Sequence, residues 1–589
     1  MPAEMKTAPS AKPSARLWLA SLGFLLAIAA LRVWLGVSAD GFGPADDLDD
    51  LLRQVQVRQW LDGRDWFDVS QPRMGLDAGT DMHWSRLVDL PMAGLTLLLS
   101  PFMERAAALD VATTLWPPAL GSVFIGLLMV LGWARGRLAG LLIAAVAGAG
   151  AMTYLAAFNP GRIDHHNWQI LCIAGAVVAL VIAEERVGFR ARHGAVAGAM
   201  LGLSLAIGPE AIALVSVICT FVALRWAFGD AVALRRMTTA FGASLALSVA
   251  LCLVLTIPPS DYGVARCDQI SVAHLVAAVA GGGGLAAAAR MAASCPMAIR
   301  LASLVGLGLL CAVALALAAP ECLGNPLNAL PTDVRAFWLD HVQETQPFTK
   351  RNGSSILLNS TVGFGTVLFA TLLLMLDLRR RPSPAHALLF ALLVLAAAFS
   401  AYQIRYNGLL QALSVVSVVY ALSGSWAARR ASPRVALPML GAAAINPFVL
   451  LVAVVVVTGA SSVREARPDC DTDRVLGVLA AQPTGRVLSE PNLAPPLLAN
   501  TPHSAVSSNY HRNIEGLTRQ IDIFLAEPEE AVAMMRDSKV DYLVSCRGFA
   551  PQYAEASPEG LHAAIAAGTV PDGLELLDDG PSHVFAVKP

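Results

Sequence analysis

The sequence predicts an α-helical polytopic membrane protein with a small α/β domain at its C-terminal end. Of the 589 residues, 56% are hydrophobic and only 15% are charged, and the mean hydropathy is +0.58. A soluble protein of this length could not bury so much apolar surface in its core. Apolar runs of roughly 18–25 residues recur along the chain, which is the length that a helix needs to cross the ~30 Å hydrocarbon layer. Beyond about residue 461 these runs stop.

About thirteen membrane spans are predicted. The first follows a short tail that carries Lys6, Lys12 and Arg16, and it extends to about Val37. We interpret it as a retained span rather than a cleaved signal peptide, because it is long for a signal sequence and no small-x-small cleavage site follows it. The apolar segment 90–102 is too short to span comfortably, so we predict an interfacial or re-entrant helix there. The other predicted spans are 107–133, 137–158, 168–183, 194–208, 211–228, 238–257, 271–290, 297–319, 354–376, 385–401, 408–427 and 435–458.

The distribution of arginine predicts the orientation of these spans. With the spans above, five basic connections all lie on one side, and the positive-inside rule makes that side cytoplasmic. The loops 39–106, 159–167 and 320–352 and the tail from 461 then lie on the outer side, which in a bacterium is the periplasm. The chain is therefore predicted to lie in the inner membrane. The five basic connections contain Arg135 and Arg137; Arg186, Arg190 and Arg192; Arg225, Arg235 and Arg236; Arg379, Arg380 and Arg381; and Arg429, Arg430 and Arg434.

The tail differs in character from the rest of the chain. Short apolar runs alternate with helix-like stretches, a pattern that predicts a small α/β domain over 461–589, after a transmembrane domain over 1–460. Four cysteines fall on the outer, oxidising side, and they can form two disulfides, Cys267–Cys322 and Cys470–Cys546. The sequence contains no CxxC pair that would indicate a zinc ribbon or a redox motif, and no basic tract that would indicate nucleic acid as a partner.

A first polar island follows the first span directly. It reads DDLDDLLRQVQVRQWLDGRDWFD, from Asp46 to Asp68. Carboxylates this close repel one another unless a cation or the neighbouring Arg53 and Arg58 compensates them. The alternative interpretation is a solvated helix N-terminus whose acidic residues complement the helix dipole.

A second polar island, GRIDHHNW over 161–168, lies at the mouth of a later span on the same side. A carboxylate next to imidazoles suits a divalent ion such as Mn²⁺, and such an ion can neutralise a departing phosphate. The alternative is a polar loop with a helix cap. Together the two islands indicate a metal ion and a phosphate-bearing lipid at the outer face of the membrane.

The first island resembles the outer-loop motif of the GT-C superfamily, the polyprenyl-phosphate-dependent membrane glycosyltransferases, which include the aminoarabinose and mannosyl transferases. The matching residues are Asp49 and Asp50, followed by VQVRQWLDGRDWFD with Arg58 and the Gly63–Trp66 turn in register. In that superfamily the first acidic residue is essential, as catalytic base or metal ligand. The resemblance implies this role for Asp49, with Asp50 next and Asp47 as the register-shifted alternative.

The second island is similar to the Asp-x-His form of the metal motif in oligosaccharyltransferase catalytic subunits. This resemblance implies that Asp164 and His166 bind a divalent metal, Mn²⁺ or Mg²⁺, together with Asp49. Those enzymes also use a glutamate from a later outer loop, which matches Glu344. The tail contains no WWDYG-type acceptor motif, so the resemblance does not extend to transfer onto asparagine.

Further candidate residues lie near the predicted membrane mouths. His83 is a possible metal ligand, or else an interfacial histidine beside its neighbouring tryptophan. Arg86 and Arg405 are candidates for binding the substrate phosphate, although an interfacial arginine that extends its head group to water is the alternative for Arg405. Glu210 is an acid near a span mouth, and helix capping is its alternative role.

The resulting hypothesis is an inverting glycosyltransferase, a hexosyl or pentosyl transferase that uses a polyprenyl-phosphate or pyrophosphate sugar from the membrane lipid. The acceptor would be a protein, a lipid or a glycan. Asp49 or Asp50 would orient or deprotonate the acceptor, and the metal and an arginine would stabilise the phosphate. The alternative is a transporter or flippase of lipid-linked glycans without transferase activity. A transporter should carry ionisable groups at mid-span depth, whereas here the charges gather at helix mouths on one face.

Overall fold

The structure is a computed structural model that describes residues 14–185, 191–324, 327, 330–347, 364–428, 470–546, 550–580 and 582–589. Within these residues, nine helices are long and apolar enough to cross a membrane, so the chain is a multi-pass membrane protein. These helices are Ala15–Asp40, Arg105–Ala151, His166–Glu185, Pro209–Phe228, Ala231–Thr256, Val272–Met291, Met297–Ala318, Pro384–Tyr402 and Ile404–Gly424.

The longest of these helices is two predicted spans joined by a tight turn. Helix Arg105–Ala151 breaks at Arg137, whose φ is 56°. Its two arms fold back on each other so closely that a Cβ on Gly132 would collide with the carbonyl of Gly140. Two shorter apolar helices, Ala191–Ile207 and Gly365–Leu378, lie where spans were predicted. The last predicted span, 435–458, lies outside the described residues, so the count of about thirteen stays a prediction.

The predicted interfacial segment is helical but begins four residues earlier, at Arg86, and ends at Leu99. Its 14 residues extend over only about 21 Å at 1.5 Å per residue, which is too short to cross the hydrocarbon layer. Leu97, Leu98 and Phe102 are exposed at its far end. These apolar side chains are typical of a helix that lies at the membrane surface.

The acidic start of the first island forms the N-terminus of the helix Leu48–Leu61. Asp47 is the N-cap, because its side chain accepts a hydrogen bond from the backbone N–H of Asp49 at 3.2 Å. Asp49 and Asp50 lie in the first turn, where negative charge favours the helix dipole. The helix packs on Arg86–Leu99 and on helix Ala494–Asn500 of the tail, so its residues from Leu52 to Val57 are buried.

The tail folds around a five-stranded mixed sheet, as the α/β pattern predicted. Its strands are β3 (Arg486–Leu488), β4 (Ser504–Ala505), β5 (Tyr542–Cys546), β6 (Leu574–Asp579) and β7 (Ser582–Val587), and a short hairpin in the first outer loop supplies β1 (Ser70–Gln71) and β2 (Thr80–Asp81). The strand order is β4-β3-β5-β7-β6, with β3 parallel to β4 and β5, and β7 antiparallel to β5 and β6. The helices around this sheet are Thr472–Ala480, Ala494–Asn500, Ile514–Leu525, Pro528–Asp537, Pro551–Ala556 and Leu561–Ala566.

The tail is joined to the outer loops by polar and apolar contacts. Arg73 of the first outer loop donates to the carbonyl oxygens of Thr501 at 2.7 Å and His503 at 3.0 Å. Val334 and Trp338, from the loop 320–352, are buried in the core of the tail. The outer loops and the tail therefore lie on the same side of the bundle, in agreement with the predicted topology.

Two disulfides are present, and both are the predicted pairs. Cys267–Cys322 joins two outer loops, with Cα atoms 5.2 Å apart. Cys470–Cys546 lies within the tail, with Cα atoms 5.0 Å apart. The first of these disulfides holds the segment that precedes helix Val272–Met291 against the end of helix Met297–Ala318.

Candidate active site

The two polar islands meet at the outer mouth of the bundle. The backbone N–H of Asp164 donates to the carboxylate of Asp50 at 2.8 Å, across 114 residues of sequence. Arg162 forms ion pairs with Asp47 at 2.5 Å and with Asp50 at 3.1 Å. These bonds attach the second island to the first turn of helix Leu48–Leu61.

Asp50 is a buried residue that holds the second island in place. Burial raises the pKa of Asp50 well above its usual range, although the positive charge of Arg162 opposes this shift. Its carboxylate binds the backbone of Asp164 and the guanidinium of Arg162. We therefore expect Asp50 to position the site, in place of the catalytic role that the resemblance implied as second choice.

Asp49 lies one residue earlier and has a different partner. The hydroxyl of Tyr510, from the tail, donates to its carboxylate at 2.7 Å. Burial raises the pKa of Asp49 well above its usual range, and the nearby negative charges of Asp164, Glu344 and Asp47 raise it further. A cation among these carboxylates would relieve their mutual repulsion.

Asp164, His165 and His166 form the centre of the site. Their ligand atoms all lie within 4.8 Å of one another. His165 bridges two acids, because its Nδ1 lies 2.6 Å from Asp164 and its Nε2 lies 3.2 Å from Glu210. Burial alone would raise the pKa of Asp164, but the two histidines lower it well below its usual range. His165 was not among the predicted site residues, because the Asp-x-His motif specifies only its first and third positions.

His166 provides an observation that fits a metal ion. Its Nδ1 is buried and makes no hydrogen bond to any described residue, although it lies 3.5 Å from the Asp164 carboxylate and 3.8 Å from that of Glu210. A buried nitrogen lone pair between two carboxylates is a donor set that suits a borderline divalent ion. The predicted pair Asp164 and His166 therefore fits a metal ion.

Two further predicted residues reach the same site from distant parts of the chain. Arg405 precedes helix Asn407–Ala428 and lies 3.8 Å from Glu210. Glu344, in the loop 320–352, lies close enough to His166 and Arg405 for them to influence its pKa. Burial raises its pKa, while the nearby His166 and Arg405 oppose the shift. The structure thus brings Glu210, Glu344 and Arg405 together with the two islands.

A cavity of about 410 Å³ opens beside this cluster. Two arginines line it, Arg162 and Arg405, and within the described part of the chain the Nε of Arg405 has no hydrogen-bond partner. An arginine with a spare donor in a largely apolar cavity suits a phosphate group. The other lining residues are Thr153, Tyr154, Ala156, Ala157, Asp164, His166, Gln169, Ile170, Glu210, Tyr406, Asn407, Gly408, Leu409 and Gln411.

Arg86 does not reach this cavity. Its side chain is buried, pairs with Asp89 at 3.3 Å and donates to the carbonyl oxygens of Trp66 and Asp68. Because its guanidinium donors are occupied, Arg86 holds the first outer loop together and is not available to a substrate. Arg162 is the arginine that sequence reasoning missed, although it lies within the second island.

The neighbours of His83 in the structure also differ from those predicted. It lies beside His511 and Asp268, and the ligand atoms of these three residues are within 4.8 Å of one another. This second cluster does not include Asp49, Asp164 or His166. Of the four predicted metal ligands, Asp164 and His166 lie in one cluster and His83 lies in the other, while Asp49 belongs to neither.

The fold is similar to that of a known membrane glycosyltransferase. No family model matches the chain, and no curated protein matches its sequence. The oligosaccharyltransferase AglB of Archaeoglobus fulgidus, in complex with an inhibitory peptide and a dolichol-phosphate, superposes with a TM-score of 0.67 at 14% identity, over 94% of this chain and 72% of AglB. The AglB structure with Zn and sulfate superposes with a TM-score of 0.58 at 15% identity, over 92% and 70%. The predicted GT-C fold is therefore confirmed.

Proposed function

We propose that this protein is a glycosyltransferase that moves a sugar from a polyprenyl-phosphate or pyrophosphate donor to an acceptor. The observation that supports this most is the cavity at the outer mouth, where Arg162 and Arg405 lie beside Asp164, His166 and Glu210. Two guanidinium groups that suit a phosphate therefore lie next to side chains that suit a metal ion. The cavity opens at the end of membrane helices, which is where a lipid-linked donor presents its phosphate.

The similarity to AglB supports the same class of donor. That enzyme was captured with a dolichol-phosphate, and its fold is shared over most of this chain. The polar wall of the cavity here is compatible with a lipid phosphate, and its apolar lining, which includes Ile170 and Leu409, is compatible with the first part of the lipid.

The proposed reaction inverts the anomeric carbon in a single displacement. An acceptor oxygen or nitrogen attacks the anomeric carbon, and the bond from that carbon to the phosphate oxygen breaks with its electron pair on the phosphate. Arg405 and Arg162 bind the phosphate charge as it develops. Asp49 accepts the proton of the acceptor, and Tyr510 orients its carboxylate through their 2.7 Å hydrogen bond.

Asp164 and His166 would hold a divalent cation, with Asp49 or Glu210 as a further ligand. When bound, that ion supplies positive charge against the departing phosphate. The mixed carboxylate and imidazole donors suit Mn²⁺ better than Mg²⁺, because Mg²⁺ prefers oxygen ligands alone. Arg53 supports this centre, because it lies 2.9 Å from Asp89 and 3.8 Å from Asp164 while its side chain is buried.

The location follows from the charge pattern. We propose that the chain lies in a bacterial inner membrane, with residues 1–460 as the transmembrane domain and 461–589 as a periplasmic domain. The two disulfides support this orientation, because Cys267–Cys322 and Cys470–Cys546 lie in the segments that we assign to the periplasm, and disulfides persist in oxidising compartments.

The test is an assay of the purified protein with radiolabelled polyprenyl-linked sugars and a panel of protein, lipid and glycan acceptors. We expect transfer that stops on addition of EDTA and returns with Mn²⁺. Transfer that EDTA does not affect would exclude the metal role while leaving the transferase activity. Movement of intact lipid-linked sugar between vesicle leaflets, with no transfer to any acceptor, would support the transporter instead.

A further inference from the structure

A second cluster of ligand-type side chains lies apart from the proposed catalytic centre. His83 follows strand β2 in the first outer loop, Asp268 lies next to the disulfide Cys267–Cys322, and His511 lies in the tail. The three segments are remote in sequence, yet one nitrogen or oxygen atom from each residue lies within 4.8 Å of the other two.

The geometry of the two imidazoles is compatible with a shared ion. The Nε2 of His511 lies 2.7 Å from the Asp268 carboxylate, and the two histidine rings have centroids 4.8 Å apart. The Nδ1 of His83 is buried and has no hydrogen-bond partner among the residues that the structure describes. Buried nitrogen atoms are normally paired, so an unpaired nitrogen on an imidazole that lies beside a carboxylate and a second imidazole is consistent with a ligand-binding role.

Arg512 already binds Asp268, and its geometry leaves room for an ion. Its Nε lies 2.8 Å from one carboxylate oxygen and its Nη2 lies 2.9 Å from the other, while its Nη1 pairs with Asp81 at 3.2 Å. Each carboxylate oxygen accepts at two positions, so a metal would replace only the hydrogen bond from His511. Arg512 and Gln269, which accepts from Arg512 at 2.9 Å, then orient the carboxylate as outer-shell partners do in metal sites.

We propose that His83, Asp268 and His511 form a second divalent-metal site, and that Zn²⁺ is its ion. Two imidazoles and one carboxylate, with a fourth position for water, are a ligand set that Zn²⁺ adopts in tetrahedral sites. The site shares no ligand with the cluster of Asp164 and His166, and it does not depend on the proposed transferase activity.

The position of this site indicates what the ion does. It joins the first outer loop, the disulfide-bonded loop around Asp268 and the tail at one point. His511 directly follows Tyr510, whose hydroxyl binds Asp49, and Trp84 directly follows His83 and packs edge-on against the Tyr510 ring, at 5.5 Å between ring centroids. The ion therefore fixes the tail against the outer loops and holds Tyr510 in place beside the proposed catalytic carboxylate.

The experiment measures metal binding in the full-length protein in detergent, with the other cluster disabled. In an Asp164→Asn, His166→Ala background stripped with chelator, we expect one equivalent of Zn²⁺ after gel filtration. Adding either His83→Ala or His511→Ala should weaken Zn²⁺ binding by roughly 100-fold or more, since loss of even an outer-shell partner costs about 10–100-fold. The matched control is His341→Ala, an exposed histidine of the loop 320–352, which should keep the full equivalent.

Co²⁺ provides a second readout that does not depend on the His83 and His511 variants. Bound to the Asp164→Asn, His166→Ala protein, Co²⁺ should show the intense visible absorption of a four-coordinate site, and Zn²⁺ should remove that absorption. A weak six-coordinate spectrum would overturn the proposal, as would an equivalent of Zn²⁺ that survives both histidine substitutions. Absence of bound Zn²⁺ in the Asp164→Asn, His166→Ala protein would also overturn it, whereas loss of sugar transfer alone would bear only on the proposed function.

Discussion

Replacing Asp49 with asparagine tests the proposed chemistry most directly. Asn keeps the shape of the side chain and an oxygen that can accept the hydrogen bond from Tyr510, which is 2.7 Å long in the structure. It loses only the charge and the ability to take a proton. The perturbation is therefore confined to the role that we assign to this residue.

The structure predicts that folding tolerates this change. Burial, and then the negative charges of Asp164, Glu344 and Asp47, raise the pKa of Asp49, so the ionised form is disfavoured in the native protein relative to the unfolded chain. Above the unfolded pKa the charge thus destabilises the fold, and a neutral residue should leave the free energy of unfolding in EDTA unchanged or higher.

Turnover, in contrast, should fall steeply. Loss of a general base typically lowers the rate by ~10²–10⁴-fold, which corresponds to about 3–5 kcal/mol of transition-state stabilisation. Tyr510→Phe should cost about tenfold, because it removes a single hydrogen bond to a charged group and keeps the ring contact with Trp84. The assay is transfer of radiolabelled sugar by variants matched to the wild type for monodispersity in detergent.

Neighbouring residues provide the controls. Asp46 is exposed on the same island, so Asp46→Asn should keep wild-type turnover. If Asp49→Asn stays active while Asp47→Asn or Asp50→Asn is inactive, the register of the first island is wrong. If all three variants stay active, this island has no catalytic role and the transferase hypothesis for it is refuted.

Four further predictions concern other residues. Arg405→Gln should raise the donor KM by roughly 10–100-fold with little loss of stability, because it removes a charge-assisted phosphate contact; an unchanged KM would exclude Arg405 from the donor site. Arg86→Gln should instead lower the free energy of unfolding by about 1.5–3 kcal/mol, because it removes one of the two arginines that pair with the buried Asp89 and leaves only Arg53, at 2.9 Å; a thermal or denaturant series would measure this. Burial raises the pKa of Glu490 to about 7, so its native carboxyl keeps a proton that the unfolded chain releases above about pH 4.5. Ionisation of Glu490 should therefore cost about 3 kcal/mol of stability as the pH rises from about 4.5 to 7, and thermal unfolding of the full Glu490→Gln chain should show a pH dependence that is smaller by this amount. A reporter that is active only outside the cytoplasm, fused after Pro589, should be active, and an inactive fusion would reverse the topology.

Much of the architecture could be predicted from the sequence, because the relevant physics is local. A helix that crosses the bilayer must be apolar over its own length, so the spans are readable from hydropathy alone. The N-terminus of helix Leu48–Leu61 is equally local, since Asp47 caps it and Asp49 and Asp50 complement its dipole. The topology narrowed the disulfide pairs to three possible pairings, because four cysteines were assigned to the oxidising side. Asp164 and His166 could be paired from the sequence, because they are only two positions apart.

The tertiary structure decided which side chains share a site. Asp49 and Asp50 are adjacent on a helix, but about 100° of rotation separates them, so one accepts from Tyr510 of the tail while the other holds Arg162 and the backbone of Asp164. No local pattern encodes such pairs, because Asp49 and Tyr510 are 461 positions apart in the sequence.

Tertiary contacts also decided the surroundings of His83, Arg86 and Arg405. The sequence shows that His83 is a potential ligand, but only the packing of the tail on the outer loops brings His511 and Asp268 to it. In the sequence, Arg86 and Arg405 are both candidates for binding a phosphate. In the structure, Arg86 pairs with the buried carboxylate of Asp89, whereas Arg405 lines the cavity. Composition and periodicity determine where a segment lies relative to the membrane. The partner of each polar side chain depends on contacts between segments remote in sequence, and these exist only once the bundle and the tail have packed together.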